Sequence, residues 1–176
     1  DYSANTASQG VVVNLLTGLA SNDGLGGADS VSAFETIQGG AGSDQLTGDT
    51  GNNLLLGGLG NDSLSGGAGV DTVDGGDGND RIALDLSDRI VGGTGTDYLV
   101  ITETELNLAN SVFTTAPTIS GMEIIDLSAP GANHVSLGRD FVAAISTGNT
   151  TANIITVEGS AGDVLSLAND ASSPDS

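Results

Sequence analysis

A chain of 176 residues carries 23 acidic side chains against three arginines and no lysine, a formal charge of −20. That balance excludes a nucleic-acid-binding face and works against attraction to anionic lipid, and the lack of cysteine excludes disulfides, thiolate metal sites and thiol catalysis. No apolar run approaches the ~20 residues that would cross a membrane, no leader-like stretch stands near Asp1, and with aromatics at 3 % any core must come from Leu, Val, Ile and Ala.

Residues 1–38 read as a set of capping strands. Gly10 to Gly18 is strand-like, and Asp29-Ser30-Val31-Ser32 and Glu35-Thr36-Ile37-Gln38 each repeat an acid-x-aliphatic-x tail. Glu35 stands nine residues before Asp44, so a register begins ahead of the glycines that follow.

Between Gly39 and Val100 one nine-residue phrase recurs seven times: Gly-Gly-x-Gly-x-Asp-x-aliphatic-x. Gly39–Thr47, Gly57–Ser65, Gly66–Asp74, Gly75–Ala83 and Gly92–Val100 are full copies. Gly48–Leu56 is worn, with Asn53 in the aspartate place, and Asp88-Arg89-Ile90-Val91 is the tail of a shortened one. A strict short period of this kind specifies a solenoid. The first six residues suit a tight turn, because glycine takes positive φ without a Cβ penalty. The last three form a short strand whose middle residue faces inward: Leu46, Leu55, Leu64, Val73, Ile82, Ile90 and Leu99. Stacked about 4.8 Å apart, such strands make parallel sheets around a narrow aliphatic core.

Two units complete one coil, so residues 18 apart share an edge. One edge then carries Asp44, Asp62, Asp80 and Asp97, and the other Asn53, Asp71 and Asp88. Of the 18 aspartates, 10 fall within residues 39–100. Carboxylates roughly one strand spacing apart repel strongly unless a cation lies between them. Hard oxygen donors in a flexible loop suit Ca²⁺, which takes roughly six to eight ligands at about 2.3–2.6 Å.

Beyond Ile101 glycine thins and longer alternating segments appear: Met122–Leu127, His134–Leu137, Asn153–Val157 and Asp163–Leu167. Residues 101–170 therefore read as a β-rich C-terminal cap with one short helix, Asp140–Ile145, and residues 171–176 as a flexible tail. Other chemistries find little support. A phosphate loop needs a lysine or a helix start, and the single His134 has no partners for zinc or for a Ser-His-Asp constellation. Arg81 and Arg89 follow Asp80 and Asp88 and are expected to point outward, balancing charge locally.

The glycine-aspartate phrase resembles the RTX nonapeptide, a repeat associated with Ca²⁺-binding β-rolls. The resemblance implies an all-β, right-handed parallel β-roll or β-helix over residues 39–100. Several Ca²⁺ ions would be held between successive turns, bridging Asp44/Asp62, Asp62/Asp80 and Asp80/Asp97 on one edge and Asn53/Asp71 and Asp71/Asp88 on the other. Remaining ligands would be turn carbonyls from Gly40, Gly42, Gly58, Gly60, Gly67, Gly69, Gly76, Gly78, Gly93 and Gly95. Sites touching Asn53, the Gly48 turn or the Asp88 turn depart most from the pattern. Residues 1–38 resemble the lead-in to such arrays in large bacterial surface proteins, and Gly162–Leu167 the terminal strands of RTX adhesins.

The resemblance implies a monomeric, non-catalytic structural module, outside or on the surface of a Gram-negative bacterium. Its partners would be calcium and the type I secretion machinery, with neither nucleic acid nor membrane insertion, and its parent protein a large adhesin. Alternatives are a module that itself binds a glycan or cell surface, and the C-terminal repeat region of a secreted protease or lipase. An ice-binding face would need a regular outward threonine ladder, whereas Gln45, Thr47, Leu56, Ser63, Ser65, Thr72 and Asp74 are mixed.

Overall fold

The computed structural model describes residues 1–4, 9–22, 28–102, 105–108, 119–128, 134–137, 156–159 and 163–167. The helix expected at Asp140–Ile145 lies outside them. Among the described residues every regular element is a strand.

The repeat folds as its period requires. Two kinds of strand alternate along it. Short ones, β5 (Gln45–Thr47), β7 (Ser63–Ser65), β9 (Arg81–Ala83) and β11 (Tyr98–Val100), stack in one sheet. Longer ones, β4 (Thr36–Gly40), β6 (Leu54–Leu59), β8 (Thr72–Asp77) and β10 (Arg89–Thr94), stack in the other. All neighbours within these two ladders are parallel, with Leu46 beside Leu64, Leu64 beside Ile82 and Ile82 beside Leu99. On the facing sheet Ile37, Leu55, Val73 and Ile90 follow the same rule. Each of these residues is buried, so the two aliphatic columns meet as one core. Three-residue strands survive because each is hydrogen-bonded on both sides and buries its middle side chain; in isolation neither gain would offset the ordering entropy.

The N-terminal end is closed by a different device. β1 (Val12–Asn14) continues the parallel ladder on β5, setting Val13 beside Leu46. β2 (Leu19–Ser21) and β3 (Ala28–Ser30) then add as antiparallel strands. Antiparallel strands break the stacking rule that would let further coils propagate, which is what an end cap must do. The Tyr2 N–H bonds the Gln38 carbonyl at 2.9 Å along β4, covering part of that outer edge.

At the other end both ladders run on past Val100. β13 (Ile119–Ser120) pairs in parallel with β10, and β14 (Ile124–Leu127) with β11, placing Ile125 beside Leu99. β16 (Thr156–Gly159) follows β14. A third parallel sheet holds β12 (Glu105–Leu108), β15 (His134–Leu137) and β17 (Val164–Leu167). Glu105 pairs with His134, and His134 with Val164. The C-terminal strands thus stack in the repeat's parallel manner, with paired residues 26–32 apart in sequence in place of 18. Ile119, Met122, Ile125, Leu127 and Val135 belong to the same core as the repeat.

Arg81 is half-exposed, as its position predicts, but its partner is not local. Its guanidinium lies 4.9 Å from the centre of the Tyr98 ring and pairs with the buried Asp126, so one side chain ties β9 across β11 to β14. Burial works to raise the Asp126 carboxyl, but hydrogen bonds from Ser128 and the Arg81 charge outweigh it and hold the group below its ordinary value.

Candidate metal centre

The turn aspartates do not lie on the surface. Asp44, Asp62, Asp71, Asp80, Asp88 and Asp97 are all at most 3 % exposed, and Asn53 is buried beside them. On the first edge each side chain reaches back one coil: the Asp44 N–H donates to Asp62 Oδ1, Asp62 to Asp80 Oδ1 and Asp80 to Asp97 Oδ1, at 2.8–2.9 Å. On the second edge Asn53 donates to Asp71 Oδ1 and Asp71 to Asp88 Oδ1. The two columns expected from the 18-residue repeat therefore exist, including the steps of 17 where the shortened unit intervenes.

One carboxylate oxygen is used in this way and the other is not. Oδ2 of Asp62, Asp71, Asp80 and Asp97 is buried and accepts no hydrogen bond. On the first edge each such oxygen faces a carbonyl. A methyl group built on Gly57 would collide with both Asp62 Oδ2 and the Gly75 carbonyl oxygen, and one on Gly75 with Asp80 Oδ2 and the Gly92 carbonyl oxygen. The first glycine of a unit is thus needed for space; the second, as at Gly58 with φ of 113°, is needed for its left-handed backbone. Two buried acceptors directed at one small volume, with no donor between them, are an unfavourable arrangement for the protein alone. A hard divalent cation satisfies both.

The N-terminal turn of each column is built differently. Asp44 accepts the Val11 N–H on Oδ1 at 2.8 Å and the Gly40 N–H on Oδ2 at 2.7 Å, so both its oxygens are taken. Asn53 Oδ1 accepts the Asp49 N–H at 2.8 Å, while its Nδ2 is buried with no partner. These turns are closed by backbone donors; those of Asp62, Asp71, Asp80 and Asp97 each leave an oxygen over.

Burial pushes the carboxyls of Asp62 and Asp97 up to about 7 and that of Asp88 up to about 6, with neighbouring carboxylates adding to the rise. Asp80 is raised as well, again first by burial. The backbone N–H each one accepts relieves only part of this. Among the described residues no three acidic, histidine or cysteine side chains converge on one point. Full coordination between two coils would therefore draw on backbone carbonyls, for which the glycines leave room. The donor set is all oxygen, part carboxylate and part carbonyl, and it fits Ca²⁺.

Two features of the turns were not read from the sequence. The residue before each aspartate forms its own ladder in the opposite sense: the Asn79 N–H donates to Asn61 Oδ1 and the Thr96 N–H to Asn79 Oδ1, both at 2.8 Å. Asparagine at this place in two of the full units was the available signal. The second is that the first column continues to Glu123, whose Oε2 accepts the Asp97 N–H at 2.8 Å.

A family model described as the RTX calcium-binding nonapeptide repeat, in four copies, matches residues 23–64, 47–82 and 82–100. No curated protein and no solved structure matches the chain. The family match and the two buried oxygen columns coincide along the chain: residues 23–100 match the RTX calcium-binding nonapeptide repeat, and within them residues 36–100 form an RTX repeat module folded as a parallel β-roll.

Proposed function

We propose that the chain is a non-catalytic structural module whose folding is governed by calcium, in a secreted protein that leaves the cell by type I secretion and acts as a large surface adhesin. The observation that carries the calcium dependence is the set of buried, unpartnered Oδ2 atoms at Asp62, Asp71, Asp80 and Asp97. The residues assigned to hold ions are the pairs Asp62/Asp80, Asp80/Asp97 and Asp71/Asp88, with glycine carbonyls of the adjoining turns. Asp44 and Asn53 serve as closing turns. Bound calcium supplies divalent charge to these buried oxygens and takes carbonyl oxygens of the turns as further ligands.

Without that charge the columns of buried carboxylates oppose folding, and an acidic chain poor in aromatics stays expanded. Sites of extracellular modules typically bind at about 10⁻⁴–10⁻³ M, far above cytosolic calcium, so the chain remains export-competent inside the cell. Outside, binding free energy becomes folding free energy. The RTX repeats support secretion; the adhesin assignment follows from the resemblance of residues 1–38 and 162–167 to segments of such proteins. Circular dichroism during a calcium titration tests the central statement. A β signal that grows with calcium and vanishes in chelator is expected, and a fully formed β signal in excess chelator would overturn it.

A further inference from the structure

We propose that Asp97, Glu123 and the Gly121 carbonyl form an additional calcium site, beyond the last nonapeptide, that fastens the C-terminal strands to the roll. The proposal rests on the reading that the open turns of this column hold calcium.

Three relations repeat here from the turns above. The first is the backbone: the Tyr98 N–H donates to the Asp80 carbonyl, and one coil later the Ile124 N–H donates to the Asp97 carbonyl at 3.0 Å. Glu123 therefore occupies the aspartate place of the next coil. The second is the side chain, since the Asp97 N–H donates to Glu123 Oε2 as the Asp80 N–H donates to Asp97 Oδ1. The third is the cradle. A methyl group on Gly92 would collide with the Gly121 carbonyl oxygen and lie 2.6 Å from Asp97 Oδ2. Asp97 is fully buried, and this Oδ2 accepts no hydrogen bond. An unpartnered carboxylate oxygen and a carbonyl oxygen thus face one volume, as at Gly57 and Gly75.

What differs is the connection. In the repeat, six residues lead from the first glycine to the aspartate, as in Gly92 to Asp97; here Gly121-Met122-Glu123 does so in three. Gly121 takes a φ of 69° to turn the chain that sharply, and glutamate's extra methylene restores the reach a shortened turn loses. Because Met122, Ile124 and Ile125 flank the site and are buried, an ion held there couples occupancy to the seating of β13 and β14 on the roll.

Calcium bound per full-length chain, measured by equilibrium dialysis with elemental analysis, tests this on the wild type and on Glu123→Gln. The variant is expected to bind one ion fewer, or that ion at least tenfold more weakly, while the ions of the nonapeptide turns stay. Unchanged number and affinities in Glu123→Gln overturn the proposal and leave the nonapeptide sites standing. A wild type that binds no calcium overturns both. Should Glu123→Gln fail to fold in calcium, wild-type crystals grown with calcium decide by anomalous scattering. A peak between Asp97 and Glu123 supports the site, and none there beside a filled Asp62/Asp80 position overturns it.

Discussion

Asp44 and Asp62 hold equivalent places in successive coils and meet different surroundings. Each oxygen of the Asp44 carboxylate accepts a backbone N–H, from Val11 and from Gly40, whereas Asp62 keeps one buried oxygen that accepts none. Changing Asp44 to Asn puts an amide N–H against a backbone donor and should cost about 1–3 kcal/mol of stability in calcium, with the number of bound ions unchanged. Asp62→Asn should remove one bound ion. Ion counting with urea melts in calcium checks both, and an ion lost from Asp44→Asn as well would refute the distinction. Acid offers a second test. Asp62 and Asp97, near 7, and Asp88, near 6, lie above the ordinary 3.8 in the fold because of burial first. As pH falls from about 7 towards 4 the folded chain binds protons before the unfolded chain does, so stability of the calcium-free fold rises over that window and falls again as pH returns to neutral. Chelator-treated protein should therefore regain part of its β signal at pH 4–5 and lose it at pH 7.5. A signal equally absent at both would show that buried charge is not what opposes folding.

At the scale of elements, the two sheets of the repeat were legible because a nine-residue period fixes three things together: where the turn falls, which strand residue faces inward, and which residues stack 18 apart. Leu46 to Leu99 are buried and Asp44 to Asp97 form a column for that single reason. Four strands of the C-terminal part, β14 to β17, were legible too through their alternation, but β12 and β13 were not, and neither was the stacking. The step from Asp97 to Glu123 is 26 residues long and replaces a six-residue turn by three, so no count of period carries across it. The fragment Gly121-x-Glu-x-Ile125 keeps the Gly-x-acid-x-aliphatic tail of the repeat, and that was the only trace of it in the sequence. The Arg81–Asp126 pair was hidden for the same reason, since Arg81 on β9 and Asp126 on β14, with β11 between them, lie 45 residues apart and on either side of that step. The antiparallel β2–β3 end was hidden for another: an end cap is defined by departing from the rule that makes the repeat readable.

For the whole molecule, the columns make calcium binding a collective property. A solenoid's stability is close to a sum over coils and their nearest-neighbour interfaces. Here the interface and the site share atoms, because Asp62, Asp80 and Asp97 each fix the preceding coil through Oδ1 and offer Oδ2 to the next gap. Filling one gap therefore orders the carboxylate and glycine carbonyls that border the following one, and the later ion finds a site whose ordering entropy is already spent. The long-range charge acts in the same direction. With −20 on the chain and a screening length of about 8 Å at physiological salt, each ion weakens the repulsion felt by the coils beside it. Folding followed against free calcium should thus be steeper than single-site binding, with a Hill coefficient clearly above unity. Asp80→Asn, which interrupts the middle of the first column, should flatten the curve towards unity. Asp44→Asn, at its closed end, should shift the midpoint to higher calcium while keeping the slope. Equal flattening by the two substitutions would mean that the coils fold as one indivisible unit, and that the columns transmit nothing from site to site.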